Sequence, residues 1–171
     1  MSTSDGIWEA RLADLWASLP EQEPAHFRSK VQELVGELPD GDPIGLFELG
    51  CSQDSTGHSD LAVPLYRSAL AAGLSGLRRR RAIIQLASSL RNVGNAQEGA
   101  ALLASESLQP EDELSSAVSA FRALALSDLG REREALGHAL LALAKYLPRY
   151  NASLGRYACE LIDSPDSEPA A

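Results

Sequence analysis

The sequence predicts an all-α chain of about nine helices, folded as antiparallel hairpins that stack into a solenoid. Three observations carry this. Strand patterns are nearly absent, while helical apolar spacing and helix-ending residues recur from end to end. Glycines recur at Gly57, Gly94 and Gly130, with a small residue seven positions before each (Gly50, Ala87, Ala123) and five after (Ala62, Gly99, Ala135). Hydrophobic residues make up 44% of the chain but aromatics only 5%. Leu, Ala, Ile and Val must therefore fill the core, and Leu and Ala are strong helix formers.

Each repeated feature has a physical reason. A glycine just past a helix adopts the left-handed backbone that closes it. Small residues on both sides of the turn let two helices touch, and a hairpin that cannot bury both faces must stack on another. In chain order, helices are expected at 7–18 and 23–38, as an N-terminal capping pair. Three repeat hairpins follow over 43–146, at 43–56 with 60–72, 77–93 with 96–107, and 112–129 with 132–146, and a capping helix follows at 149–162. Pro24, Pro43 and Pro148 suit first turns, where no N–H is needed. Pro64 falls beyond the free first turn and should kink or delay its helix. Asn95 is expected as an N-cap, with Glu98 completing a capping box. Residues 1–162 read as a single helical-repeat domain, and 163–171 as a disordered tail, since it has no apolar residue larger than Ala or Pro.

The segment LFELGCSQDSTGHSDLAVPLYRSALAAGL at 46–74 resembles the tetratricopeptide-repeat (TPR) motif, through Leu49, Gly50, Gly57, Ala62, Tyr66 and Ala69. From about residue 7 to 162, and chiefly through RRRRAIIQLASSLRNVG at 78–94, the chain resembles the bacterial "tetratrico peptide repeat group 5" family. Glu106 and Arg122 depart from the motif, standing where it has a small and an apolar residue. The likeness implies a right-handed TPR solenoid in which the first helix of each pair lines a concave groove that holds a peptide or protein. It does not imply a carboxylate clamp for chaperone C-termini, because Phe47, Cys51, Ala117 and Phe121 stand at four of the clamp positions.

Carrying the repeat positions over places Phe47, Cys51 and Asp54 of the first hairpin on that groove. The second hairpin adds Arg81, Ile84, Gln85, Ser88, Arg91 and Asn92, and the third adds Ala117, Ala120, Phe121, Leu124 and Asp128. A polar, cationic strip between apolar patches suits a peptide with an acidic group and one or two apolar anchors. Cys51 has two readings, groove-facing or a small buried apolar residue. Cys159 reads as core of the final helix. The four arginines Arg78–Arg81 open a helix, where cations oppose its dipole. Either acidic neighbours such as Glu37, Asp40, Asp42 or Glu48 offset them, or Arg81, with Arg91, serves a partner.

Composition bounds the remaining classes. The net charge is -9, yet residues 76–100 carry five arginines against one glutamate. One basic island on an acidic chain does not make the extended surface that nucleic acid needs. No secretory pattern opens the sequence and the two cysteines form no CxxC, so a cytoplasmic protein with reduced thiols is expected. No stretch approaches the ~18–20 apolar residues needed to cross a bilayer. GxSxG, P-loop, GxGxxG and HExxH patterns are missing, and His26, His58 and His138 are scattered, expected at the surface or at helix ends. A non-catalytic protein–protein interaction module without metal or cofactor follows. Its alternatives are a self-associating structural protein using Trp8, Trp16 and Tyr157, and an anion or nucleotide sensor using Arg78–Arg81.

Overall fold

The computed structural model describes the backbone of residues 3–163. Among the described residues it has nine α-helices, one 3-10 turn at Leu19–Glu21 and no strand. The helices are α1 (Thr3–Ala17), α2 (Pro24–Val35), α3 (Pro43–Asp54), α4 (Ser59–Ala71) and α5 (Gly76–Asn92), then α6 (Ala96–Glu106), α7 (Ser115–Asp128), α8 (Glu132–Ala144) and α9 (Asn151–Asp163). Beyond Asp163, the tail expected from the sequence lies outside the described residues. The helices have the pattern of a TPR-like helical repeat fold. Residue contacts separate the chain into two compact units, dividing within α5 between Ala82 and Ile83.

The recurring glycines do what their spacing implies. Gly57, Gly94 and Gly130 have φ of +87°, +83° and +71°. The N–H of the next residue, His58, Asn95 or Arg131, donates back to the carbonyl of Gln53, Leu90 or Leu126 at 2.9, 2.8 and 3.0 Å. That bond, from just past the turn to the last helical carbonyls, closes each helix and turns the chain into the next. Asn95 does sit at the N-cap of α6, but its amide donates to Glu98 Oε2 at 2.7 Å instead of its oxygen capping a backbone N–H.

In the first unit, Pro43 opens α3 and the Asp42 carboxylate caps it, Oδ1 accepting from Ile44 N and Gly45 N at 2.8 and 3.1 Å. Gly50 lets α3 and α4 close, since an added Cβ would stand 2.8 Å from the buried Tyr66 ring. Trp8, Leu12 and Leu34 form a core between α1 and α2, and Trp8 Nε1 donates to the Leu34 carbonyl at 2.9 Å. Trp16 packs edge-on against Phe27, with centroids 5.0 Å apart. Helix α4 starts at Ser59 and runs through Pro64 without interruption, so Pro64 does not delay it as expected. Pro64 and Asp60 are both exposed, so water can hydrate the Asp60 carbonyl that loses its N–H partner.

In the second unit, Ile84 and Ala87 of α5 pack with Leu103 of α6 and Val118 of α7. Ala123, Leu126 and Ala135 join α7 to α8. Helix α9 closes on α8 at Gly137, where an added Cβ would meet the Ala158 carbonyl at 2.8 Å. Pro148 precedes α9 instead of occupying its first turn: the chain first reverses at Tyr150, a non-glycine residue at φ +66°.

Candidate partner-binding surface

Helices α5 and α7 hold most of the residues expected to face a partner. Ile84 is 6% exposed and belongs to the core, so it lines no surface and the expectation for it is corrected. Its burial follows from α5 packing on both α6 and α7. Phe121 is half-buried against that same cluster, which brings these two groove candidates together. Gln85 and Ser88 are half-buried, Asn92 is exposed, and Leu124 on α7 is 46% exposed.

Arg91 is not a loose cation. Its Nε lies 2.6 Å from Asp128 Oδ2, joining the last turns of α5 and α7. Arg91 suits the negative end of its own helix, and it offsets Asp128, which does not suit the negative end of α7. Asp128 lies thirty-seven residues downstream, one beyond the 36 that separate Gly94 from Gly130, so the two residues sit near the same level of successive first helices.

In the first unit, Phe47 and Cys51 are buried, at 0% and 1% exposure, and neither offers a surface. Phe47 was expected on the groove; packing of α3 against α4 puts it beside Tyr66, with ring centroids 6.1 Å apart. Cys51 takes the buried of its two readings. It and Asp54 face the Tyr66 hydroxyl, whose pKa burial pushes far up. Arg81 remains exposed, with its guanidinium carbon 5.2 Å above the Phe47 ring centroid.

The arginine run is answered partly as expected. Arg78 Nε faces Glu48 Oε1 at 3.4 Å, while its two terminal nitrogens bond Glu9 at 2.9 and 2.6 Å. Glu48 is 2% exposed, and burial raises its pKa against the pull of Trp16 Nε1–H, 2.8 Å from Oε2, and of Arg78 and Arg81. Glu37 pairs instead with Arg11, at 2.7 Å. Glu9 had no local signal: it meets Arg78 across sixty-nine residues of sequence.

His138 and Cys159 exchange the places expected of them. His138 is 7% exposed, on the face of α8 turned to α7, where Glu134 Oε1 lies 3.9 Å from Nε2 and Arg122 is close by. Burial first, then Arg122 and Arg131, push its pKa down to about 4 against the pull of Glu134. Arg122, at a nominally apolar repeat position, is accommodated by Glu134 at 3.4 Å. Cys159 is exposed, because Ala158 takes the α9 position turned to α8. Among the described residues, no cluster of three His, Cys, Asp or Glu is arranged to hold a metal, and no helix is long and apolar enough to cross a membrane.

A family model described as tetratrico peptide repeat matches residues 43–161, from the start of α3 into α9. No curated protein and no solved structure matches the chain. Domains of this repeat type are generally non-catalytic modules of protein–protein interaction. The helix-closing glycines, the small residues at the hairpin contacts and the extent of that match agree: the chain belongs to the tetratrico peptide repeat family.

Proposed function

We propose that this chain is a non-catalytic scaffold of the cytoplasm that binds a peptide or protein on the outward face of α5 and α7. The observation that supports this most is a single neighbourhood on two first helices. Phe121 rests on the Ile84 cluster, Arg91 is tied to Asp128, and Leu124 and Asn92 are left facing solvent. Such a face offers an apolar seat at Phe121 and Leu124 beside polar contacts from Gln85, Ser88 and Asn92. Asp128 balances the charge of Arg91, while in the first unit Arg81, held on Phe47, is an exposed cation that could meet an acidic group of a partner.

The test is capture from host lysate on immobilised wild type, Leu124→Glu and Arg81→Glu chains, with bound proteins identified by mass spectrometry. Both side chains are exposed, so helicity should hold in each variant; the thermal midpoint should hold for Leu124→Glu and fall for Arg81→Glu, which sets a second carboxylate near buried Glu48. Loss of one captured protein with Leu124→Glu supports the α5–α7 face, and weakening with Arg81→Glu supports the acidic group. Capture undiminished by Leu124→Glu sinks the reading.

A further inference from the structure

We propose that a cleft beside α1, within the first unit, is a second binding site, for a peptide segment of the pattern apolar–basic–apolar. The cleft has a volume of about 440 Å³, within the ~300–1,000 Å³ range of small-ligand sites. Trp8, Leu38 and Ile44 form its apolar lining, and Ile7 stands on it at 62% exposure. A second cleft of about 370 Å³ shares Ile44 as a wall and is lined also by Pro43, Leu74 and Leu77, with Leu77 at 45% exposure. Two hollows with apolar walls thus adjoin the stretch Asp42–Ile44.

The charges around them select the occupant. Arg11 is spent on Glu37, each terminal nitrogen 2.7 Å from a carboxylate oxygen. Glu9 is spent in the same way on Arg78, at 2.9 and 2.6 Å. Asp42 is different: Oδ1 caps α3, and among the described residues Oδ2 has no partner. Asp40, two residues earlier, is exposed and adds to the same sign. A cation reaching Asp42 Oδ2 therefore meets a carboxylate that, among the described residues, no arginine holds, whereas Glu9 and Glu37 beside it are already paired. Apolar side chains on either side of that cation would enter the two hollows, whose walls are already ordered by the paired arginines.

The experiment is a ¹⁵N–¹H titration of the full chain with acetyl-Leu-Arg-Leu-amide, using acetyl-Leu-Glu-Leu-amide as the control. The Trp8 indole N–H, fixed on the Leu34 carbonyl, is a reporter inside the cleft. Saturable shifts at Trp8, Ile7, Ile44 and Leu77 are expected by about 10 mM arginine peptide, with the Leu124 and Asn92 amides unmoved. Asp42→Asn keeps an oxygen to cap α3 and removes the charge, so binding should weaken about tenfold or more at an unchanged thermal midpoint. Ile7→Ser, at an exposed position, should weaken it without touching the cap. Equal binding of the glutamate peptide, wild-type affinity in Asp42→Asn, shifts centred on Leu124, or no saturable shift at all would each overturn the proposal.

Discussion

Gly99 lies against the backbone of Ala87: a methyl group on its α-carbon would stand 2.8 Å from the Ala87 carbonyl oxygen. The two small residues that bracket the Gly94 turn in sequence are thus the two that meet in space. A helix carbonyl cannot step aside as a flexible side chain can. Gly99→Ala should therefore cost about 1–3 kcal/mol through overpacking, read as a lower urea midpoint with an unchanged slope. Gly155 in α9 is the control, since nothing lies within 4 Å of an added methyl there. Gly155→Ala should stabilise by about 0.5–1 kcal/mol, by restricting the unfolded chain and favouring helix.

Glu48 depends on two donors from distant segments. Trp16→Phe keeps an aromatic ring to pack on Phe27 but removes the N–H held by Glu48 Oε2 at 2.8 Å. A buried carboxylate oxygen then loses its partner, at a cost of about 1–3 kcal/mol. Arg78→Met removes the nearest cation and should cost about 3 kcal/mol, because it leaves Glu48 buried with its charge less compensated. Adding Glu48→Gln to Arg78→Met should recover part of that loss. Urea unfolding of the two single variants and the double variant measures the coupling, and strict additivity would show that Arg78 acts through Glu9 alone.

Acid should destabilise the second unit through His138. Its pKa is about 4 in the fold, against 6.5 when free. Between those values the unfolded chain binds more protons than the native one, so stability is complete above pH ~6.5 and falls as pH drops through 4. The full span corresponds to about 3 kcal/mol. Glu48 works in the opposite direction: burial raises its pKa, so its contribution falls as pH rises through its folded value. The two are separated by difference. Relative to His138→Leu, wild type should lose up to about 3 kcal/mol of unfolding free energy from pH 7 to 4, and parallel curves would mean that His138 titrates alike in the folded and the unfolded chain.

The helical hairpins were legible because their signals are local and repeated. Gly57, Gly94 and Gly130 each specify one backbone conformation, and that conformation fixes where one helix ends and the next begins. The site was less legible because repeat position tells which helix a residue is on better than it tells depth. Ile84 and Leu124 are both first-helix residues, yet one is 6% and the other 46% exposed, since the depth depends on which neighbours a helix has. Phe47 was misplaced for the same reason, and its proximity to Arg81 has no signature in either segment alone. Paired charges divided along similar lines. Arg91 with Asp128 joins the last turns of two successive first helices, whereas Glu9 with Arg78 depends on how the non-repeated helix α1 packs.

The two cysteines give the most direct check on which faces are turned outward. Cys159 is exposed on α9, whereas Cys51 is 1% exposed between α3 and α4, beside Tyr66. A thiol reagent reaches a buried cysteine only when the surrounding hairpin opens, so its rate follows the opening equilibrium. Ellman's reagent should titrate one thiol per native chain rapidly and both in denaturant. Cys159→Ser should abolish the rapid phase, while Cys51→Ala should leave it unchanged. Denaturant well below the unfolding midpoint should accelerate only the slow phase, because Cys159 needs no opening to react. A rapid reaction that survived Cys159→Ser would mean that α3 and α4 part readily, and that the Gly50–Tyr66 contact does not hold them.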